Sequence, residues 1–182
     1  RSVYNSMTSR LLVDKIEGKT TASTVQMPSG SIVQAVQFLR AGKLGSAPDN
    51  LTGTSSANVS LSSSSFVDII SKTITTKLAN SQIYVTLSVI AYNGSDTLRV
   101  KTKVLRDSTQ IDGDQYGVYA PQSTMQSYQI FILDTPNAST GTTLTYKLQA
   151  ARSSGSSSGL SIAYGDSGGG SSASLTLMEI AQ

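Results

Sequence analysis

Two short segments of this sequence carry residue types that do chemistry in proteins: Gly-Asp-Ser-Gly-Gly at 165–169 and Asp-Gly-Asp at 112–114. The first has the form of a turn that presents a nucleophilic serine, and such a serine needs a histidine to take its proton. The chain contains no histidine. This route to nucleophilic catalysis is therefore excluded, and the segment is interpreted as a glycine-rich loop.

Carboxylates are the remaining candidates for chemistry. Asp112 and Asp114 offer the hard oxygen ligands that Ca²⁺ prefers, but their spacing lacks the distal Glu of an EF-hand loop. An Asp-Gly turn explains both residues equally well. The 11 acidic residues single out no pair for glycosidic cleavage. We therefore predict no enzymatic activity, no metal ion and no other cofactor, and a glycan-degrading enzyme is the lower-ranked alternative.

A row of cations, Arg99, Lys101 and Lys103, has the two-residue spacing of one face of a strand. Such a row suits contact with an acidic glycan, an anionic lipid or a neighbouring subunit. It equally suits a solvated face on which lysines prevent edge-to-edge association.

Two tyrosines, Tyr116 and Tyr119, lie in a glycine-containing segment that precedes Pro121. Tyrosines on a surface provide contact area with little loss of entropy, although packing in the core or at its rim explains them as well. The candidate surface-recognition residues are therefore Tyr116, Tyr119, Asp112, Asp114, Arg99, Lys101 and Lys103.

Composition excludes several classes of partner. The net charge of +3 is too small, and too little clustered, to indicate a nucleic-acid-binding protein. No uninterrupted apolar run approaches the ~20 residues that span a bilayer, so membrane insertion is not expected. The chain has no cysteine and hence no disulfide framework.

The organising element is the stretch from Gln82 to Arg106. Apolar residues alternate with polar ones from 83 to 91 and again from 98 to 104, which is the signature of strands with one face in a core. Asn93-Gly94 between the two runs is a strong hairpin signal. The stretch therefore predicts a long antiparallel hairpin with an apolar inner face and a cationic outer face.

Further strands are predicted along the rest of the chain, at 32–40, 58–61, 66–70, 72–78, 116–119, 127–133, 144–150, 160–164 and 174–181, separated by loops rich in Ser, Gly, Asn and Pro. This pattern predicts an all-β fold, an antiparallel β-sandwich of jelly-roll type. We expect residues 31–182 to form this domain.

Residues 1–30 differ from the rest and are predicted to be a short extended or partly helical N-terminal arm. The segment has apolar residues but too few to build its own core, so we expect it to anchor the chain or to support its oligomerisation. The candidate anchoring residues are Leu11, Leu12, Val13 and Ile16.

Several short segments of the sequence resemble the C-terminal β domains of tail-fibre-like virion proteins of marine bacteriophages. These segments are residues 64–68, 104–109, 131–136, 145–149 and 175–180, preceded by 13–18 and 25–30. The long repetitive shaft of a true tail fibre has no counterpart in the sequence. The resemblance implies location in the virion and a homotrimer, with the N-terminal arm contacting other virion proteins of the tail or capsid.

The sequence thus predicts a non-enzymatic, trimeric virion structural protein of fibre type that displays a β domain towards a host-surface glycan or protein. A capsid-decoration or head-fibre protein that stabilises the capsid is the first alternative, because the chain is short and lacks a shaft.

Overall fold

Antiparallel β-strands make up most of the computed structural model, which describes residues 28–41, 59–93, 98–112, 115–120, 124–154, 160–162 and 172–182. Within these ranges there are eleven strands. Their bounds are β1 Ile32–Ala41, β2 Val59–Ser60, β3 Val67–Thr75, β4 Gln82–Asn93, β5 Leu98–Arg106, β6 Thr109–Gln110, β7 Gln115–Ala120, β8 Thr124–Asp134, β9 Thr143–Ser154, β10 Leu160–Ile162 and β11 Ser172–Ile180.

The strands form two sheets, called sheet A and sheet B. In sheet A the long strands lie in the order β1-β11-β4-β8, and the short strands β10 and β2 continue beside the end of β4. In sheet B the order is β3-β9-β5, followed by β6 and β7, which pair with successive parts of β5. Every described pairing is antiparallel.

This strand order is that of a jelly roll. The eight main strands are divided between two four-stranded sheets, and successive ones change sheet except from β5 to β7. The strand β11 returns to lie between β1 and β4. Antiparallel double-sheet sandwiches with such long-range returns are jelly rolls. The sequence-based prediction of an all-β, jelly-roll sandwich is therefore confirmed.

The core lies between the inward faces of the two sheets, which follow the alternation seen in the sequence. Sheet A contributes the odd-numbered residues of β4 and β11, and sheet B the even-numbered residues of β5 and β9. The predicted inward residues of β8, Tyr128, Ile130 and Ile132, also pack on this core. The buried positions of β4 are Ile83, Val85, Leu87, Val89 and Ala91.

One irregularity lets β3 bury two consecutive side chains. The register between β3 and β9 shifts between Asp68 and Ile70, and such a bulge places an additional residue on one strand. Ile69 and Ile70 are both buried as a result. The sequence analysis had divided this region into strands at 66–70 and 72–78, whereas the structure has the single strand β3.

The predicted hairpin of Gln82–Arg106 is wrong. Both strands exist and bury the expected faces, but β4 pairs with β8, β10 and β11 in sheet A, and β5 pairs with β6, β7 and β9 in sheet B. The two apolar faces therefore meet across the core instead of lying side by side in one sheet. Periodicity fixes which face of a strand is buried but not which neighbour the strand pairs with.

The N-terminal arm lies outside the described residues up to residue 27, together with its candidate anchoring residues Leu11, Leu12, Val13 and Ile16. The described chain begins with a turn at Pro28–Ser31. There Gly30 donates a backbone hydrogen bond of 2.8 Å to the carbonyl of Ala181. The chain therefore enters the domain beside the end of β11.

Leu87→Ala should lower the free energy of unfolding by about 2–5 kcal/mol, because the truncation leaves a cavity at a position that is 2% exposed. Ser88→Ala, on the outer face of the same strand, is the control and should change stability by less than about 0.5 kcal/mol. Denaturant unfolding at one fixed protein concentration measures both. Equal effects would contradict the assigned faces of β4.

Candidate functional site

The first buried carboxylate belongs to Glu179 on β11, whose side chain is 0% exposed. Its two oxygens accept hydrogen bonds from the backbone N–H of Lys77 at 2.9 and 3.0 Å, and one oxygen accepts from the N–H of Leu78 at 2.9 Å. The hydroxyl of Ser81 donates at 2.8 Å and the amide of Gln34 at 2.6 Å. Glu179 thereby joins β1, β11 and the connection from β3 to β4.

These hydrogen bonds decide the charge state of Glu179. Burial alone would raise its pKa, but the backbone donors of Leu78 and Lys77, with Ser81 and Gln34, outweigh burial and lower the pKa below its ordinary value of 4.5. The carboxylate is therefore ionised at neutral pH, and all its neighbours named above are donors. Its role is to hold a turn in place.

The second buried carboxylate, Asp134 at the end of β8, connects the two sheets. Its two oxygens both lie 2.7 Å from Nη1 of Arg106 on β5, and one of them accepts a hydrogen bond of 2.6 Å from the hydroxyl of Tyr146 on β9. Burial raises the pKa of Tyr146, as does its hydrogen bond to Asp134. The phenol therefore stays protonated and acts as a donor.

A third polar contact also crosses the core from β8. The buried hydroxyl of Thr102 on β5 donates to the hydroxyl oxygen of Tyr128 at 3.1 Å. Burial raises the pKa of Tyr128, the hydrogen bond from Thr102 opposes this shift, and the negative charge of Asp112 adds to it. The inward face of β8 is thus bound to sheet B at two points, Tyr128 and Asp134.

Sequence reasoning missed both buried carboxylates, because it found no pair that stood out among the acidic residues. The available signal was their position within alternating strands: Glu179 continues the inward parity of Ala173, Leu175 and Leu177. An acid on the apolar face of a strand needs paired donors if it is to be buried. That requirement marks Glu179 as structurally important, but it does not identify the donors.

The predicted cationic row lies on the outer face of sheet B, as expected. Arg99 is exposed, whereas Lys101 and Lys103 are half-buried. The ammonium of Lys103 lies 4.2 Å from the ring centroid of Phe66, within the range of a cation–π contact. The same face carries Lys147, which lies 3.5 Å from a carboxylate oxygen of Asp68.

The predicted tyrosines lie on the strand beside this row. In the register of β5 and β7, Tyr119 is opposite Arg99 and Tyr116 is opposite Lys101. Their side chains lie outside what the structure describes. The topology thus brings together two groups of candidates that are about twenty residues apart in sequence.

Of the two candidate aspartates, the structure describes Asp112 and not Asp114. Asp112 is half-buried and acts electrostatically on Tyr128, whereas Asp114 lies outside the described residues. Among the described side chains, no three His, Cys, Asp or Glu residues are grouped as a metal site would require.

The outer face of sheet A has the opposite character. Among its described side chains, on β1, β4, β8 and β11, none is charged. Several large apolar residues on this face are exposed to solvent: Phe131 is 61% exposed, Leu133 54%, Met125 52% and Ile32 58%. The sequence analysis did not identify this face, because it assigned the residues of β8 only by their inward parity.

Among the described residues, the arrangement therefore offers two outer faces of different character. The two buried acids of the described chain, Asp134 and Glu179, are engaged in hydrogen bonds that hold strands and turns together. In the described ranges, no helix has the length and apolar character needed to cross a bilayer.

No protein-family model matches the sequence, and no curated protein sequence matches it either. Solved structures do match the fold. A structure of infectious bursal disease virus, Gx strain, matches with a TM-score of 0.49 and 10% identity over 92% of this chain. The T13 particle of that virus gives 0.48 and 9% over 92%, and its VP2 subviral particle gives 0.46 and 10% over 93%.

This chain covers only 36%, 36% and 37% of the three matched chains, respectively. At this identity the likeness concerns the fold alone. The matched structures are those of virus or subviral particles. The more specific resemblance to phage tail-fibre proteins stays a prediction.

Glu179→Gln should lower the free energy of unfolding by about 1–3 kcal/mol at neutral pH, because its new amide N–H₂ faces donors instead of accepting from them. In the wild type, the lowered pKa of Glu179 contributes stability that is complete above its unfolded value and is lost as pH falls through the folded value. The variant should therefore lose less stability than the wild type between about pH 5 and pH 3. Denaturant unfolding at several pH values measures both proteins. Equal losses of stability in the wild type and in Glu179→Gln as the pH falls would contradict this role of Glu179.

Asp134→Asn should lower the free energy of unfolding by about 2–4 kcal/mol. The loss is smaller than for a fully buried ion pair, because the Arg106 side chain is 21% exposed. The substitution leaves the guanidinium without its counter-charge. Tyr146→Phe, which removes one hydrogen bond and keeps the ion pair, should cost only about 0.5–1.5 kcal/mol. Thermal or denaturant unfolding measures the loss of stability in each variant. A larger loss for Tyr146→Phe than for Asp134→Asn would contradict the dominant role of the ion pair.

Proposed function

We propose that this chain is a non-enzymatic bacteriophage virion structural protein of fibre type, which forms a homotrimer and displays its jelly-roll domain towards the host surface. The observation that carries the proposal is the contrast between the two outer faces. Among the described side chains, sheet A presents an outer face without charge and with exposed apolar residues, and sheet B presents a cationic outer face.

The contrast supports two different contacts on opposite sides of one domain. Exposed apolar surface on a soluble domain marks an interaction site, and charges are depleted in the centres of protein interfaces. The cationic face suits the rim of an assembly, where long-range attraction brings an acidic partner into contact. In this proposal sheet A faces neighbouring subunits and sheet B faces the host.

The proposed recognition surface is centred on β5 and β7. Arg99, Lys101 and Lys103 provide positive charge, and the register places Tyr116 and Tyr119 opposite two of them. Acidic sugars offer carboxylate or sulfate groups to cations and apolar ring faces to aromatic side chains. An acidic host-surface glycan is therefore the partner that this combination fits best.

A capsid-decoration protein is the second candidate. It is favoured by the uncharged outer face of sheet A, which crosses four strands and would suit close packing on capsid subunits. In that case sheet A would be covered by the capsid, and the N-terminal arm would provide an additional contact.

Immunogold labelling of intact virions, with antibody raised against residues 28–182, distinguishes the two candidates. Gold at the tail is the expected result and supports an attachment fibre. Gold spread over the head would instead make the chain a decoration protein. Absence of gold from every particle, with the denatured virion also negative on a blot, would refute virion placement.

Arg99→Glu should weaken adsorption of the purified protein to host cells by about fivefold or more, which corresponds to about 1 kcal/mol. Lys77→Glu is the matched control, because Lys77 is also exposed but lies in the connection after β3. Adsorption should fall as salt is raised. Equal weakening by both variants would indicate a general charge effect and contradict a site on β5.

A further inference from the structure

The apolar residues on the outer face of sheet A are arranged in register across the sheet. At one end of the face, Leu133 on β8 is opposite Tyr84 on β4, Tyr84 is opposite Met178 on β11, and Met178 is opposite Ala35 on β1. Side chains directly opposite one another in antiparallel strands lie close together. Four strands thus contribute one continuous row.

Further apolar residues widen this row. Phe131 lies two residues before Leu133 on the same face of β8, and Ile32 is opposite Ile180 beside the other end of the row. We call this surface the apolar strip, defined as Phe131, Leu133, Tyr84, Met178, Ile180, Ile32 and Ala35. Phe131, Leu133 and Ile32 are each more than half exposed, so the part of the chain that the structure describes leaves these three side chains uncovered.

The edge of the sheet beside the strip is also open. Among the described residues, β8 pairs with β4 alone, so the other side of this 11-residue strand has no described strand partner. Exposed edges are usually protected by Lys, Pro or inward-turned charges. The outward side chains of β8, from Met125 to Leu133, include no charged residue and no proline. An unprotected edge of this kind is expected where a partner covers it.

We infer that the apolar strip and the β8 edge contact a second copy of this chain. Copies of a chain with net charge +3 repel one another, and the cationic outer face of sheet B adds to that repulsion at close range. The outer face of sheet A has no described charge, so two copies that approach there avoid the close-range repulsion between their cationic faces. Each copy also presents the same apolar strip, so the strip of one copy can cover apolar surface on the other.

This inference rests on the proposed function for the number of copies, which is three. It is independent of the position of the protein on the virion, because the contact is a property of the isolated chain. The residues expected to matter most are Phe131 and Leu133, which combine large apolar area with an edge position. When a second copy covers both the apolar strip and the β8 edge, these two residues lie near the centre of the contact, where a few residues carry most of the binding energy.

Native mass of the purified full chain tests the inference. The wild type should have three times the monomer mass of 19.0 kDa at micromolar concentration. Phe131→Lys/Leu133→Lys should raise the dissociation constant at least about thirtyfold and yield monomers with unchanged circular dichroism. Thr73→Lys, at an exposed position on the edge strand β3 of sheet B, is the control and should leave the mass unchanged.

A fluorescent reporter gives a second measurement, because the chain contains no tryptophan. Phe131→Trp should show emission that moves to shorter wavelength as concentration rises and copies associate, whereas Thr73→Trp should not. This readout does not depend on introducing a charge. It also remains informative if the double-lysine variant fails to fold.

The remaining outcomes separate the other possible occupants. Short-wavelength emission from Phe131→Trp at every concentration, lost in Leu12→Lys/Val13→Lys, would assign the strip to the N-terminal arm and overturn the inference. A monomeric wild type with long-wavelength emission would overturn it in favour of a different virion protein. A dimer sensitive to Phe131→Lys/Leu133→Lys would support the contact and contradict only the proposed trimer.

Discussion

The carboxylate of Glu179 is the constraint on which the closure of this domain depends. One buried group receives donors from β1, from the connection between β3 and β4, and from Ser81 just before β4. It therefore fixes how the chain leaves sheet B and enters sheet A. A buried charge tolerates few alternatives, because any arrangement that removes a donor leaves it under-solvated. Asp134 has the corresponding role at the opposite edge of sheet A, where it binds β8 to two strands of sheet B.

Local alternation was sufficient to predict the fold class and most strands. The inward residues of β4, β8 and β9 follow directly from their spacing, because a strand with one buried face has a period of two. Pairing was harder to predict. The Asn-Gly signal after β4 suggested a hairpin, yet β4 and β5 belong to different sheets, since β4 pairs with strands from residues 124–180 and β5 with strands from residues 109–154. No local pattern encodes a contact between Leu175 and Leu87, which are partners in the sheet.

The candidate site was predictable only in part, for a related reason. The cationic row could be identified because its spacing lies within one strand. The uncharged face of sheet A is assembled from four strands that are far apart in sequence, and its character appears only when their outward residues are placed in register. The two buried carboxylates also required tertiary structure, because their donors, both side chains and backbone N–H groups, lie on other strands and on the connection between β3 and β4. The two outer faces are consequently a property of the assembled sandwich rather than of any segment.

The position of β11 has a consequence for the synthesis of the protein. The last strand of the chain lies between β1 and β4, so sheet A is incomplete until residues 172–180 have left the ribosome. A nascent chain can form parts of sheet B earlier, but β1 has no described strand partner other than β11. Contacts this distant in sequence slow folding, and exposed strand edges favour aggregation while folding is unfinished. Completion of the domain therefore waits for β11, and the β8 edge, whose described outward side chains carry no charge, is the segment that chaperones would need to shield until then.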